Sequence, residues 1–458
     1  MRYRPMPPTV FAASRKRLYK SLPPGSLVIL HANDVYPTNA DGTLGFVQSS
    51  DLYYLSGVDQ EETILMLFPD APDPSMREMI FLRETSEMIA VWEGERLTKD
   101  QASAASGVAA GSIHWLDQFD RFFRMAMCQA KQVFLNTNES LRATVEVETR
   151  ERRFITRCQQ EFPLHRYERL APLMHELRII KAPAEVTALK EAIAVTESAF
   201  RRILGFVKPG VMEYEVEAEM IHEFIRHGAQ GHAFSPIVGS GKNACVLHYI
   251  INNARCHDGD LLLLDFGAKL GNYHADLTRT IPVNGRYTPR QRDVYNAVLR
   301  THKHARKLLK PGVQIKAYQE EVGAFVEEEL IKLKLLTRSD VKTARDRDPS
   351  RPAYKKYFMH GTSHHLGLDV HDVGNMWQKL SPGMVLTVEP GIYIREEGIG
   401  VRIENDVVIT ARGNTDLMPT MPIEVEEIEE LMAGGSGSAG GNGSGSRKVK
   451  KKAGAKGE

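Results

Sequence analysis

Short apolar runs and helical spacings alternate along most of this chain. Apolar runs with strand character occur at residues 26–32 (SLVILHA), 62–68 (ETILMLF), 79–82 and 133–135. Between them lie stretches of helical composition. A short basic helix is predicted over 12–22, ahead of Pro23-Pro24-Gly25, and further helices over 97–106 and 119–130. Residues 45–57 (GFVQSSDLYYLSG) read as a polar loop and an aromatic segment. Residues 91–96 (VWEGER) read as the end of a strand, with Trp92 between charges. A lone tryptophan reads first as packing, since indole rings are mostly buried. Strands alternating with helices predict an α/β N-terminal domain. Nothing in it has the spacing of a catalytic cluster.

The pattern then becomes regular and occurs twice. Residues 185–207 form an amphipathic helix, with Ala188, Ile193, Phe200, Ile203 and Leu204 among its apolar positions, and stop at Lys208-Pro209-Gly210. A second helix, 213–227, closes at Gly228. A hairpin-like stretch follows at 261–281 (LLLLDFGAKLGNYHADLTRTI). Later, helix 290–309 stops at Lys310-Pro311-Gly312 and helix 315–333 follows. After a charged, proline-containing insertion (337–356) come strand-like runs at 384–389 and 401–410. The repeated order of helix, Lys-Pro-Gly, helix and strand pair predicts a duplicated fold with pseudo-twofold symmetry. The expected domains are 1–172, 173–432 and a disordered tail, 433–458.

Each strand pair carries two acids: Asp265 and Asp276 in the first half, Glu389 and Glu404 in the second. If the first hairpin turns at Leu270-Gly271, Asp265 and Asp276 face each other with Cβ atoms roughly 4.5–5.5 Å apart. Such a pair beside an apolar run calls for a cation. The alternatives are a register one residue off, or carboxylates that both reach water. A duplicated fold brings both pairs to one interface, where sites form. The stretch 358–372 (FMHGTSHHLGLDVHD) adds His360, His364, His365 and His371. We read one imidazole as a ligand and two as lining a substrate cavity. His365 has an ordinary packed or exposed reading, because it points away from His364 if the segment is extended. Four carboxylates and one imidazole suit two divalent cations about 3.5–4 Å apart. Oxygen-rich donors favour Mn²⁺, with Co²⁺, Zn²⁺ or Fe²⁺ as alternatives.

Composition narrows the context. The net charge of +1 gives no bulk field for nucleic acid. Cys128, Cys158, Cys245 and Cys256 lie far apart with no C-x-x-C pair, as in reduced thiols rather than a zinc site. The N-terminus lacks the apolar core of a signal peptide, and no apolar run reaches the roughly 18 residues of a membrane span. The expected location is the cytoplasm. From residue 433 a Gly/Ser-rich linker leads to a basic tail, RKVKKKAGAKGE, whose contacts with polyanions would be weak and non-specific.

The segments LLLLDFGAKLGNYHADLTRT, HGTSHHLGLDVHD, TVEPGIYI and VRIENDVVIT resemble the metal motifs of the pita-bread metallopeptidases. That family includes Xaa-Pro aminopeptidases, prolidases and methionine aminopeptidases. The N-terminal GFVQSSDLYYLSGVD and VWEGERL resemble its N-terminal domain. GSGKNACVLHY and the motif order are most similar to bacterial aminopeptidase P, with prolidase second. The resemblance implies a C-terminal pita-bread domain with Asp265, Asp276, His364, Glu389 and Glu404 as metal ligands. Asp276 and Glu404 would bridge the two ions, Asp265 would bind one, and His364 with Glu389 the other. A bridging hydroxide would attack the carbonyl before proline, with Glu389 as general base. His248 and His371 would bind substrate or stabilise the oxyanion. His360 would contact substrate or product, Arg402 would orient the carboxylates, and Tyr393 would line the pocket. The implied activity is release of the N-terminal residue from peptides with proline second. The rivals are a prolidase and an inactive binding scaffold. The N-terminal domain would mediate a homodimer or homotetramer, in which Trp92 reaches a neighbour's active site. No family motif falls in the 337–356 insertion.

Overall fold

The apolar runs of the first third pair into one six-stranded mixed sheet. Its strands are β1 (Ser26–His31), β2 (Ile64–Leu67), β3 (Glu78–Leu82), β4 (Ile113–Trp115), β5 (Gln132–Leu135) and β6 (Tyr167–Arg169), in the order β4-β3-β2-β1-β5-β6. β1 pairs antiparallel with β2 and parallel with β5. Its side chains alternate between two cores. Leu27 and Ile29 join Phe119, Phe123 and Phe154 on one face, while Val28 and Leu30 join Phe11 and Leu52 on the other. Burial on both faces explains why these strands read as continuous apolar runs rather than alternating ones. The computed structural model describes residues 3–435.

The duplication is visible in the turns. Gly210 and Gly312 both take positive φ, 101° and 87°. Gly210 N–H donates to Cys256 O and Gly312 N–H to Leu380 O, both at 2.8 Å. Cys256 N–H returns to Val211 O and Leu380 N–H to Val313 O, again at 2.8 Å. Matching isolated bridges join Met212 to Arg255 and Gln314 to Lys379. Asp265 follows Cys256 by nine residues, as Glu389 follows Leu380. The helix pairs are Pro183–Phe206 with Glu213–Arg226, and Pro289–Leu308 with Ile315–Lys332. They pack around small sheets built from β7 (Gly231–His232), β8 (Ile237–Ser240), β9 (Leu261–Phe266), β10 (Ala268–Leu270), β11 (Tyr273–His274), β12 (Leu277–Pro282), β13 (Val385–Val388), β14 (Gly391–Ile394), β15 (Ile399–Arg402), β16 (Asn405–Ile409) and β17 (Asn414–Asp416).

Four expectations need correction. Residues 91–96 do not end a strand: they close the helix Glu87–Glu93, which Ser86 caps by accepting from Ile89 N–H and Gly94 ends at φ 81°. Trp92 on that helix is 85% exposed, so it is not packed within the chain. Residues 401–410 form two strands, because the chain leaves β14 after Arg402 and joins β13 at Asn405. The tail does not begin at residue 433, since the last helix runs Val425–Gly435. The remaining linker and the basic tail, residues 436–458, lie outside the described residues. The 337–356 insertion holds the helix Arg338–Arg347 and a 3₁₀ turn, Ala353–Lys356, whose Tyr354 is buried. No described helix is long and apolar enough to cross a membrane.

Candidate metal centre

The hairpin of the first half turns one residue later than expected. Leu270 pairs with Tyr273, and the two apex residues Gly271 and Asn272 take φ of 58° and 66°. Two consecutive positive φ values are the requirement of a tight hairpin turn that follows the strand twist. Asp265 consequently faces Thr278, not Asp276. The ladder is broken at Gly267, where a Cβ would lie 1.7 Å from the Ala275 carbonyl oxygen. Only glycine permits that crossing. The break divides the hairpin between two sheets, β12-β9-β8 and β11-β10-β7. Asp276 sits in the unpaired gap between β11 and β12.

The second half supplies the opposite wall. Glu404 occupies the link between β15 and β16, and its N–H donates to Thr278 O at 3.0 Å. The Thr278 hydroxyl donates to Glu404 Oε2 at 2.6 Å. His364 N–H donates to Thr387 Oγ1, and its Nδ1 lies 3.0 Å from the His365 carbonyl. A carbonyl only accepts, so Nδ1 carries the proton and Nε2 turns a lone pair inward. Nε2 lies 3.3 Å from Asp276 Oδ2 and 3.7 Å from Glu389 Oε1. Ligand atoms of Asp276, His364 and Glu404 all fall within 4.8 Å of one another.

This donor set fits cations. Asp265 Oδ1 and Asp276 Oδ1 are buried and meet no hydrogen-bond donor. A buried carboxylate oxygen without a donor is costly unless a cation sits against it. Burial, and then Asp265, Asp406 and Glu389, push the Asp276 carboxyl well above its usual range. Burial, then Asp276, Glu389 and Asp265, do the same to Glu404. Burial also raises Glu389, against the lowering effect of His364 and Arg402. The strong opposing charge is Arg402. Its guanidinium pairs with Asp265 Oδ2 (2.5 Å) and donates to Thr278 Oγ1 (3.0 Å) and Tyr393 OH (2.8 Å). Through Thr278 it also steadies Glu404. One guanidinium among four carboxylates leaves the cluster short of positive charge.

The other histidines take distinct places. His360 Nδ1 lies 2.7 Å from Gly361 O, so Nε2 accepts from Tyr393 OH at 2.8 Å. Burial, helped by Arg402, lowers His360 to about 3, so it is a neutral ring. The His371 ring stands edge-on to His364 with centroids 4.5 Å apart. His248 is exposed, close enough to His360 and His371 to act on their charge. His365 is buried with neither ring nitrogen bonded, and burial lowers it to about 3. Trp92 is found neither in the cluster nor in the cavity of about 870 Å³ beside His371, which is lined mostly by residues 33–179 together with Ala233, His274 and residues 369–375.

Sequence reasoning missed Thr278, Arg279, Asn405 and Asp406. Arg279 is fully buried and donates to Glu404 O and to Asn405 Oδ1. Asp406 Oδ2 accepts from Asp276 N–H at 3.2 Å. Asp406 stands two residues after Glu404, as Arg402 stands two before it, and that spacing is the signal that could have found it.

Two sequence families match. Metallopeptidase family M24 covers residues 187–411, and the aminopeptidase P N-terminal domain covers 11–134. The Xaa-Pro aminopeptidase of Escherichia coli (strain K12) is 36% identical over 436 residues, 92% of this chain and 97% of that protein. That of Haemophilus influenzae is 34% identical over 93% of this chain and 98% of its own length. The Pseudomonas aeruginosa aminopeptidase PepP superposes with a TM-score of 0.85 at 33% identity, covering 94% of this chain and 99% of that one. With the motifs, the duplicated fold and both matches in place, the chain belongs to the aminopeptidase P branch of metallopeptidase family M24, whose members hold divalent metal ions.

Proposed function

We propose that this protein releases the N-terminal residue from peptides whose second residue is proline. Asp265, Asp276, His364, Glu389 and Glu404 would hold two divalent cations, Mn²⁺ by preference on so oxygen-rich a donor set. Asp276 and Glu404 would supply one carboxylate from each half at the centre of that set. When bound, the cations lower the pKa of a coordinated water and polarise the scissile carbonyl. Glu389, made more basic by burial against the lowering effect of His364 and Arg402, would take and return the proton. Arg402 fixes Asp265 directly and Glu404 through Thr278. Tyr393 holds the neutral His360, and His248 and His371 contact substrate at the cavity side. Proline's imide has no N–H, so ordinary peptidases that bind that group fail on it.

The observation that carries this reading is the pair of buried, donorless oxygens on Asp265 and Asp276 within a four-carboxylate cluster. Similarity to Xaa-Pro aminopeptidases over nearly the whole chain favours longer peptides over the Xaa-Pro dipeptides of a prolidase. The test is metal-depleted protein reloaded with Mn²⁺ and assayed on Xaa-Pro and Xaa-Pro-Yaa-Zaa. Cleavage of the dipeptide alone would establish the prolidase reading. Failure on both with full metal would establish a binding scaffold. We further assign the protein to the cytoplasm and to a homodimer or homotetramer. Met88, Val91 and Trp92 stand 75%, 82% and 85% exposed on one short helix, as suits a subunit contact. A monomer by light scattering at micromolar concentration overturns that assignment.

A further inference from the structure

His371 stands on a segment, residues 367–372, that is held from beneath by a buried ionic cluster. Asp372 Oδ1 lies 2.5 Å from Arg178 Nη2, and its Oδ2 lies 2.8 Å from Lys181 Nζ. These three side chains are at most 5% exposed. The same Arg178 nitrogen reaches Asp369 Oδ2 at 2.6 Å, while Asp369 Oδ1 accepts from Ser50 Oγ at 2.8 Å. Arg178 Nη1 donates to Asp51 Oδ1 at 2.8 Å, and Asp51 Oδ2 accepts from Asn136 Nδ2 at 2.9 Å. Ser50, Asp51 and Asn136 belong to the N-terminal part of the chain, whereas Asp369 and Asp372 flank His371.

The segment has little freedom to move in any other way. His274 N–H donates to Gly367 O at 3.0 Å, two residues before the ligand Asp276. Asp372 N–H donates to His365 O at 2.9 Å, one residue after the ligand His364. A Cβ on Gly367 would lie 2.3 Å from Asp372 Oδ2, and one on Gly374 would lie 2.1 Å from the His365 ring. Buried ion clusters are weak sources of net stability, because desolvation offsets their attraction. What the fork of an arginine shared among three carboxylates supplies is a fixed geometry.

We infer that Asp51, Arg178, Asp369 and Asp372 form a positioning relay through which docking of the N-terminal domain sets His371 beside His364. Arg178 and Asp51 touch neither substrate nor metal ligand; they act through His371. The N-terminal domain is therefore part of the catalytic apparatus within a single chain. The inference rests on the peptidase reading above, in which His371 contacts substrate.

The test is a double-mutant cycle on the full-length, Mn²⁺-loaded protein with an Xaa-Pro-Yaa-Zaa peptide. Asp51→Asn should lower kcat/KM about tenfold, since small displacements of a positioned group are costly. Its bound metal should stay near that of the parent, and activity is measured well below the variant's own melting temperature. In a His371→Ala background the same change should cost less than about twofold, because a shared pathway is non-additive. Ser50→Ala, which removes only the bond to Asp369, is read in the same cycle and serves if Asp51→Asn folds poorly. Equal losses in both backgrounds, no loss in the parent, or a parallel loss of metal would each overturn the relay. An unmutated protein that cleaves no Xaa-Pro peptide fails the peptidase reading instead. An active protein with an additive cycle fails the relay alone.

Discussion

Asp276→Asn should change the sign of its effect on stability according to whether divalent cations are bound. Asp276 and Glu404 present carboxylate oxygens no more than 4.8 Å apart. Two unit charges at that spacing repel by about 3 kcal/mol at an effective dielectric of about 20. Without metal the folded protein relieves this repulsion by holding protons, as the raised Asp276 and Glu404 carboxyls indicate. Asparagine keeps the shape and removes one charge. In chelator the variant should therefore melt above the parent at neutral pH, by up to about 6 °C if most of the repulsion is relieved. With Mn²⁺ at a hundredfold excess over its Kd, the parent gains about 2.7 kcal/mol. The variant lacks an anionic donor, gains less, and should melt below the parent. The pH dependence has a definite sign. A carboxyl whose folded pKa is raised contributes stability that is fully present below its unfolded pKa of about 4 and lost as pH rises through the folded value. Chelated parent protein should thus become more stable as pH falls from neutrality toward 5, Asp276→Asn less so, and the Mn²⁺-loaded parent not at all. Calorimetric melts in chelator and in Mn²⁺, with metal content measured alongside, decide the matter. A variant that melts below the parent under both conditions refutes the repulsion argument.

Four further outcomes follow from the same contacts. Arg402→Lys keeps the charge but loses the fork that joins Asp265, Thr278 and Tyr393, so metal affinity or activity should fall by about 10–100-fold, measured by Mn²⁺ titration and kcat. Glu213 is buried and accepts from Ser240 N–H, Asn243 Nδ2, Tyr249 OH and Ala254 N–H, so Glu213→Ala strands four donors at about 1–3 kcal/mol each. Hydrogen exchange across residues 240–254 should rise, and KM should rise with it through the displaced His248. Gly267→Ala puts a Cβ 1.7 Å from the Ala275 carbonyl oxygen and should destabilise the chain by more than about 3 kcal/mol, read from the denaturant midpoint. Burial alone would raise Asp372, but Lys181 and Arg178 outweigh it and hold the carboxyl at about 2. A depressed carboxylate stabilises above its unfolded pKa, so about 2–3 kcal/mol should be lost as pH falls from about 4 to 2, and Asp372→Asn should flatten that part of the urea-midpoint profile.

The fold was legible where chemistry and local period coincide. The four leucines of β9, the Lys-Pro-Gly stops and the paired acids lie in runs short enough to be read directly. The hairpin register was not, because it depends on Asn272 joining Gly271 at positive φ, and Leu270-Gly271 is an equally plausible apex on composition. The helix Glu87–Glu93 is too short for its spacing to stand out, and its Ser86 cap and Gly94 stop are the features that define it. The split of residues 401–410 depends on β14, a strand that is only visible as part of TVEPGIYI. The Arg178 cluster left no local trace at all. Its partners Asp51, Asp369 and Asp372 are 127, 191 and 194 residues away in sequence.

The site also explains why the two halves stay in register. Direct bonds join them at the centre: Glu404 N–H to Thr278 O, Thr278 Oγ1 to Glu404 Oε2, Asp276 N–H to Asp406 Oδ2, Arg402 N–H to Thr280 Oγ1, and Arg279 to Glu404 O and Asn405 Oδ1. Each half brings two carboxylates to this seam, and like charges push the halves apart. Arg402, from the second half, answers only part of that charge by pairing with Asp265 of the first. On the proposed ligand set, cations bound by Asp265 and Asp276 of one half and Glu389 and Glu404 of the other would turn a repulsive seam into an attractive one. The duplication therefore contributes more than symmetry. On that ligand set it would make binding metal and closing the two halves one event, and loss of metal should loosen β12 and β16 together in hydrogen exchange while leaving the β1–β6 sheet protected.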